Sequence, residues 1–195
     1  MTIAFVLGNG ISRREVSLTT LEQCGPIYGC NALYREYAPT VLVATDRPIA
    51  THIQASGYSI KNKFYTRKPI NGTGALRVPQ EYYGFSSGPI ATGLAAIAGH
   101  RRIYLVGFDM GPNENKQFNN LYAGTEFYKP KESTPTFTGN WIKQFCRVIT
   151  DYPATTFYRI HGGTTAQIPE FNKLPNVETM ELSSFITCIT NQTGL

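Results

Sequence analysis

Apolar and polar positions along this chain fall into alternating blocks, and the blocks predict its architecture. Ile3 to Leu7 is an unbroken apolar run that stops at Gly8-Asn9-Gly10 and passes into polar residues. This is the pattern of a strand buried on both faces that delivers a tight turn. Val16, Leu18 and Leu21 mark a short helix, and Pro26 to Cys30 a second strand ending at Asn31. Ala32 to Tyr37 predicts a helix closed by Pro39, and the β-branched run Thr40 to Thr45 a third strand that ends on Asp46-Arg47. Pro48 to Ser56 predicts a helix stopped by Gly57, and Tyr58 to Tyr65 a further strand of alternating character. Pro69 to Phe85, rich in Gly, Pro and Tyr, predicts a loop or a small irregular hairpin.

Order returns at Ser86-Ser87-Gly88-Pro89, where serines precede a proline near a first helical turn, followed by the small apolar residues Ile90 to Ala98. Ile103 to Gly107 predicts a fifth buried strand ending in Phe108-Asp109-Met110. The stretch from Gly111 to Gly139 is too long and polar for an ordinary connection and predicts a lid that is mobile without ligand. Trp141, Phe145 and Val148 have helical spacing, Thr155 to Ile160 is a sixth strand and Val177 to Leu182 an edge strand. The fold class expected is α/β: one Rossmann-like domain over residues 1–195, an open, largely parallel sheet with helices on both faces and a lid insertion at 111–139. Ligands of such sheets lie outside the carboxyl ends of the strands, where Gly8, Asn9, Gly10, Asn31, Asp46, Asp109 and His161 all fall.

Composition narrows the setting. At 195 residues, 42% hydrophobic and 16% charged, the chain suits a folded domain with one sizeable core. No basic leader precedes Leu7 and no long apolar run follows, so neither a signal peptide nor a membrane span is expected, and a cytoplasmic location is. Cys24, Cys30, Cys146 and Cys188 lack metal-site spacing and read as reduced thiols. The net charge of +5 suits an acidic small molecule, and the scattered Lys and Arg argue against nucleic acid.

The chemistry expected at the strand ends is phosphate recognition. Gly8 and Gly10 let backbone approach a ligand, and Ser12 can cap the following helix or bind an anion there. A Cβ at Gly10 is therefore expected to enter ligand space while sparing the fold. NAD is disfavoured, because the third glycine of the dinucleotide pattern falls on Arg13 and the second strand ends in Cys30-Asn31 rather than in an acid. Of three histidines, His100 belongs on the far edge, His52 on a helix surface, and His161 is the acid/base candidate. Asp46 and Asp109 could share a Mg²⁺ that bridges phosphates, or simply hold loops. Arg13, Arg47 and Arg67 are available to offset phosphate charge.

The succession Gly8-Asn9-Gly10-Ile11-Ser12, Tyr28-Gly29-Cys30-Asn31, Ser86-Ser87-Gly88 and Ile103 to Asp109 resembles bacterial sialyltransferases of glycosyltransferase family 42, and also the related hydroxymethylpterin pyrophosphokinase-like group. The resemblance covers about residues 3 to 150. It implies a transferase that moves a sugar from a CMP-activated donor without metal, with an unknown acceptor. Gly8, Asn9, Gly10, Asn31, Ser87 and Gly88 would hold the donor, with Tyr122 or Tyr128 of the lid steadying the leaving phosphate, in a homo-oligomer. Those enzymes draw a general-base histidine from the lid, whereas 111–139 contains none. Two alternatives follow: a Mg²⁺-dependent pyrophosphokinase using Asp46 and Asp109, and a non-catalytic binding or structural protein, cellular or viral, on the same fold.

Overall fold

The computed structural model describes residues 2–193. Eight strands form one sheet: β1 Ile3–Leu7, β2 Ile27–Cys30, β3 Val41–Val43, β4 Phe64–Thr66, β5 Leu76–Arg77, β6 Arg102–Val106, β7 Thr156–His161 and β8 Val177–Glu181. The order is β5-β4-β3-β2-β1-β6-β7-β8, and each neighbouring pair is parallel. The chain winds outward from β1 to β5, then returns to place β6 on the other side of β1. The β1/β6 boundary is thus the topological switch point, where the two halves diverge and leave a crevice at the carboxyl ends.

Right-handed crossovers decide which face each helix takes. Helices α1 (Leu18–Cys24), α2 (Arg47–Ala55), α3 (Tyr58–Lys61) and the last helix, α6 (Leu182–Thr193), lie on one face, whereas α4 (Ser87–Ile97) and α5 (Gly139–Asp151) lie on the other. The alternation of β1 shows why its residues are all apolar. Ala4 and Val6 pack with Ile90, Leu94 and Phe145 on the α4/α5 face, and Phe5 and Leu7 pack with Leu21, Ile53 and Phe185 on the opposite one. The small residues of α4 let it sit close against β1, β2, β3 and β6.

Three elements differ from the sequence expectation. Tyr58 to Tyr65 is not a single strand: Gly57, left-handed at φ +77°, ends α2 and restarts the chain as α3, and only Phe64–Thr66 is extended. Ser59 is buried while Ile60 is exposed, the reverse of what the alternation of Tyr58, Ser59, Ile60 and Lys61 would give on a strand. Residues 69–85 make no hairpin, because β5 runs parallel to β4 with Tyr65 opposite Leu76. The helix expected over Ala32 to Tyr37 is a short 3-10 turn, Asn31–Arg35. Helix α6 begins where the edge strand was expected to close. It packs on α1, β7 and β8, with Phe185 buried among Phe5 and Tyr104 at ring distances of 6.1 and 5.4 Å. Among the described residues no helix is long and apolar enough to cross a membrane, and all four cysteines are free thiols.

Phe185 has no exposed surface and closes the core beneath β1 and β6. Phe185→Ala should lower unfolding stability by about 3–5 kcal/mol, the usual range for deleting a buried phenylalanine. Urea denaturation followed by far-UV circular dichroism measures this, and a loss below about 1 kcal/mol would mean that α6 is dispensable to the core.

Candidate functional site

A cavity of about 250 Å³ opens at the carboxyl ends of the strands, at the switch point. Its floor is Gly8-Asn9-Gly10, one wall is Cys30, Asn31 and Thr45, and the opposite wall is Gly107 to Gly111. The N-terminus of α4, Ser86 to Pro89, enters from the third side, with Arg67 beside it. Phe118, Asn119, Asn120, Thr136 and Thr138 of the long segment after β6 complete the enclosure. Trp141 of α5 lines it too.

Ser87 knits the centre together. Its hydroxyl donates to Asn31 Oδ1 at 3.0 Å and accepts from the Thr45 amide at 3.1 Å, tying the ends of β2 and β3 to α4. Asn31 adopts a left-handed φ of +51°, which Asn tolerates better than most side chains, and this turns the chain sharply out of β2. The amides of Ser87 and Gly88 precede the first intrahelical acceptor and have no partner among the described residues. They add to the positive end of the α4 dipole, directed at the cavity. The Asn9 side chain is 9% exposed; its Nδ2 donates to the Cys30 carbonyl at 3.2 Å, and its Oδ1 has no partner. Arg67 brings a cation, held by the Gly84 and Phe85 carbonyls at 3.1 and 2.7 Å. The cavity therefore offers orphan amide donors, a cation and aromatic walls.

Asp109 plays a different part. It is 3% exposed and accepts from the Ser12 amide at 3.0 Å, the Ser12 hydroxyl, the Thr164 hydroxyl at 2.7 Å and the Thr165 hydroxyl at 3.2 Å. The carboxylate thus occupies the anion position that the sequence assigned to a ligand at the 3-10 turn Ile11–Glu15, and Ser12 serves Asp109. Neighbouring Ile11 donates its amide to Asn119 Oδ1 at 2.8 Å, and Gly10 donates to the Gly107 carbonyl at 2.8 Å. A Cβ on Gly10 would come within 2.5 Å of Asp109 Cγ and 2.7 Å of the Gly107 carbonyl, so it would strain the β1–β6 junction before it met any ligand. The expectation that an alanine there spares the fold is corrected on that ground.

The residues do not fit a Mg²⁺ shared by Asp46 and Asp109. Four donors take up the Asp109 oxygens, while Asp46 is an exposed residue at the cavity lip, ahead of α2, with no side-chain cap bond. Among the described residues no group of three or more His, Cys, Asp or Glu side chains is placed for a metal ion.

The remaining candidates lie off the cavity lining. His161 ends β7, half-buried, with Nε2 at 3.1 Å from the Gln167 amide nitrogen. Tyr128 accepts from the Ala32 amide at 3.3 Å, and burial pushes its hydroxyl up to about 12. Tyr122 donates to Glu36 and accepts from Arg13 Nη2 at 3.1 Å; burial first, and then Glu36, raises its pKa. Both tyrosines anchor the long segment on the 31–36 turn. Burial would raise the Glu36 pKa, but the hydrogen bonds from Tyr122 and Arg13, with the Arg13 charge, outweigh it and hold the carboxyl below its ordinary value. His100 lies on the far edge, where its Nε2 is 3.2 Å from the Tyr28 hydroxyl, and exposed His52 meets Phe127 edge-on. Sequence reasoning missed Cys30 and Thr45 as wall residues, and also Phe118 and Trp141. The aromatics lie in or beyond the irregular segment, where no period announces which side chain turns inward.

No protein-family model and no curated protein matches the chain. Solved structures do. The sialyltransferase CstII from Campylobacter jejuni in complex with cytidine-5'-monophosphate superposes with a TM-score of 0.54 at 13% identity, covering 82% of this chain and 79% of that one. The same enzyme with the substrate analogue CMP-3FNeuAc gives 0.47 at 14% identity, covering 82% and 80%. The likeness is one of fold. It agrees with the single parallel α/β sheet described above.

The Glu36 clip generates a pH prediction. Because its folded pKa is depressed, its stabilising contribution is full above the unfolded carboxylate value of about 4.3 and is lost as pH falls through the lower folded value. Protection of the amides of residues 120–130, measured as hydrogen exchange relative to the intrinsic rate at each pH, should therefore fall below about pH 4 in the parent protein, and Glu36→Gln should show the lower protection already at pH 6. Unchanged exchange in the variant would contradict the clip.

Proposed function

We propose that the chain binds a nucleotide or nucleotide-sugar donor at the switch-point cavity and acts as a sialyltransferase-like transferase on a CMP-activated sugar. One observation carries the reading: the orphan Ser87 and Gly88 amides stand at the N-terminus of α4, which lines the cavity beside Arg67. The amides suit a phosphate, whose charge the helix dipole and Arg67 offset. Phe108, Phe118 and Trp141 offer apolar surface for the base. In transfer, the same amides would stabilise charge developing on the leaving phosphate. The segment 111–139 acts in this reading as a lid, anchored to the 31–36 turn through Tyr122 and Tyr128. The fold match to a CMP-bound sialyltransferase supports the choice of cytidine.

A second reading, a binding protein without transfer, is favoured by one observation. His161, Tyr122 and Tyr128 lie outside the cavity lining, and Asp109, which does line it, has its carboxylate taken up by four donors of the protein itself.

Thermal shift with CMP, CDP, UDP, GDP and ATP, each with and without Mg²⁺, tests the binding. A cytidine-selective rise in melting temperature independent of Mg²⁺ is expected, since a ligand of the folded state stabilises it. Arg67→Gln should weaken CMP binding by about 10-fold or more, the equivalent of one charge-assisted hydrogen bond, with His100→Ala unchanged. No shift with any nucleotide, or one that requires Mg²⁺, would overturn the proposal. Binding without donor hydrolysis or transfer would select the second reading.

A further inference from the structure

From Arg47 to Gln80 the chain carries Arg47, Lys61, Lys63, Arg67, Lys68 and Arg77 and not one Asp or Glu. Six of the 18 basic side chains lie there, leaving 12 to face all 13 acidic ones elsewhere, so the net charge of +5 originates in this segment. The segment builds the β5 end of the sheet. Ser59 donates its hydroxyl to the Thr73 carbonyl at 2.7 Å, the Thr73 amide bonds the Ile70 carbonyl at 3.2 Å, and Gly74 packs its backbone against Ile60. These contacts gather Ile60, Ile70 and Leu76, which are 69, 45 and 41% exposed, around one edge. Lys61, Lys63, Lys68 and Arg77, one to three positions from these residues along the chain, are exposed too.

We infer that this edge docks the protein on an anionic lipid bilayer. Cations around protruding aliphatic side chains fit a headgroup layer: the cations meet negative lipid and the aliphatics enter the acyl boundary. A second copy is disfavoured, since a two-fold contact would set like charges against each other. Single-stranded nucleic acid is disfavoured too, because the protruding side chains are aliphatic and give bases no face to stack on. The edge is separate from the cavity's amide donors, so docking would present the protein to membrane-borne molecules without occupying the nucleotide site.

Co-sedimentation of the full chain tests this, using vesicles of phosphatidylcholine alone and of phosphatidylcholine with 30 mol% phosphatidylserine, at low and at 0.5 M salt. Binding is expected only to the phosphatidylserine vesicles at low salt. Each cation near an anionic surface contributes about fivefold to partitioning, so Lys61→Ala/Lys68→Ala should lower it by about 25-fold. Ile60→Asn should lower it severalfold, whereas Ile97→Asn, at an exposed apolar residue outside this edge, should not. Circular dichroism and melting temperature report whether each variant is folded. No binding to phosphatidylserine vesicles, equal binding to neutral ones, unchanged binding of the folded Lys variant, self-association abolished by Ile60→Asn, or preferential binding of an oligonucleotide would each overturn the inference.

Discussion

The carboxylate of Asp109 holds the functional edge in place. It follows β6, reaches across to the turn after β1 through Ser12, and reaches the 162–165 loop after β7 through Thr164 and Thr165. Three strand ends are thereby joined by one buried charge. Such a group is tolerated only when its acceptor sites are filled, and here four donors fill them. Arg159 of β7, 4% exposed and stacked 5.4 Å from the Phe171 ring, supplies compensating charge; burial lowers its pKa to about 10, and Asp109 opposes that shift. Asp109 neutralises the 3-10 turn at Ile11, whereas the N-terminus of α4 is left open to an anion.

This division explains the shape of the cavity. Gly10 is compact because Asp109 and the Gly107 carbonyl crowd it. Ser87 is fixed by Asn31 and Thr45 so that its own amide and that of Gly88 stay directed inward. The long segment after β6 is tied down at Asn119 by Ile11, at Leu121 by the Asn9 carbonyl and at Tyr122 by Glu36, and it brings Phe118 over the opening. Of these two neighbouring helical N-termini, one is filled from within by Asp109 and the other is left open.

Much of this was legible in the sequence because buried parallel strands announce themselves. β1, β3 and β6 are largely continuous apolar runs, and their carboxyl ends mark the edge where the cavity opens. What was not legible depended on long-range pairing. Nothing local in Phe108-Asp109-Met110 reveals that the carboxylate will meet Ser12, 97 residues earlier, rather than a ligand. Tyr122 and Tyr128 are equally plausible from sequence as ligand contacts or as anchors, and only Glu36 and Ala32 decide between these roles. α3 was hidden because one helical turn can imitate strand alternation. β5 has only two residues, both exposed, so no apolar pattern marks it.

Equilibrium urea denaturation of Asp109→Asn against the parent protein, each with and without Mg²⁺, tests most directly that this carboxylate is the tie of the site. The substitution keeps the shape but turns an amide donor toward donors. The account predicts a loss of about 2–3 kcal/mol in the variant and no Mg²⁺ dependence in either protein. A variant as stable as the parent, or a parent stabilised by Mg²⁺ in a way the variant loses, would contradict it.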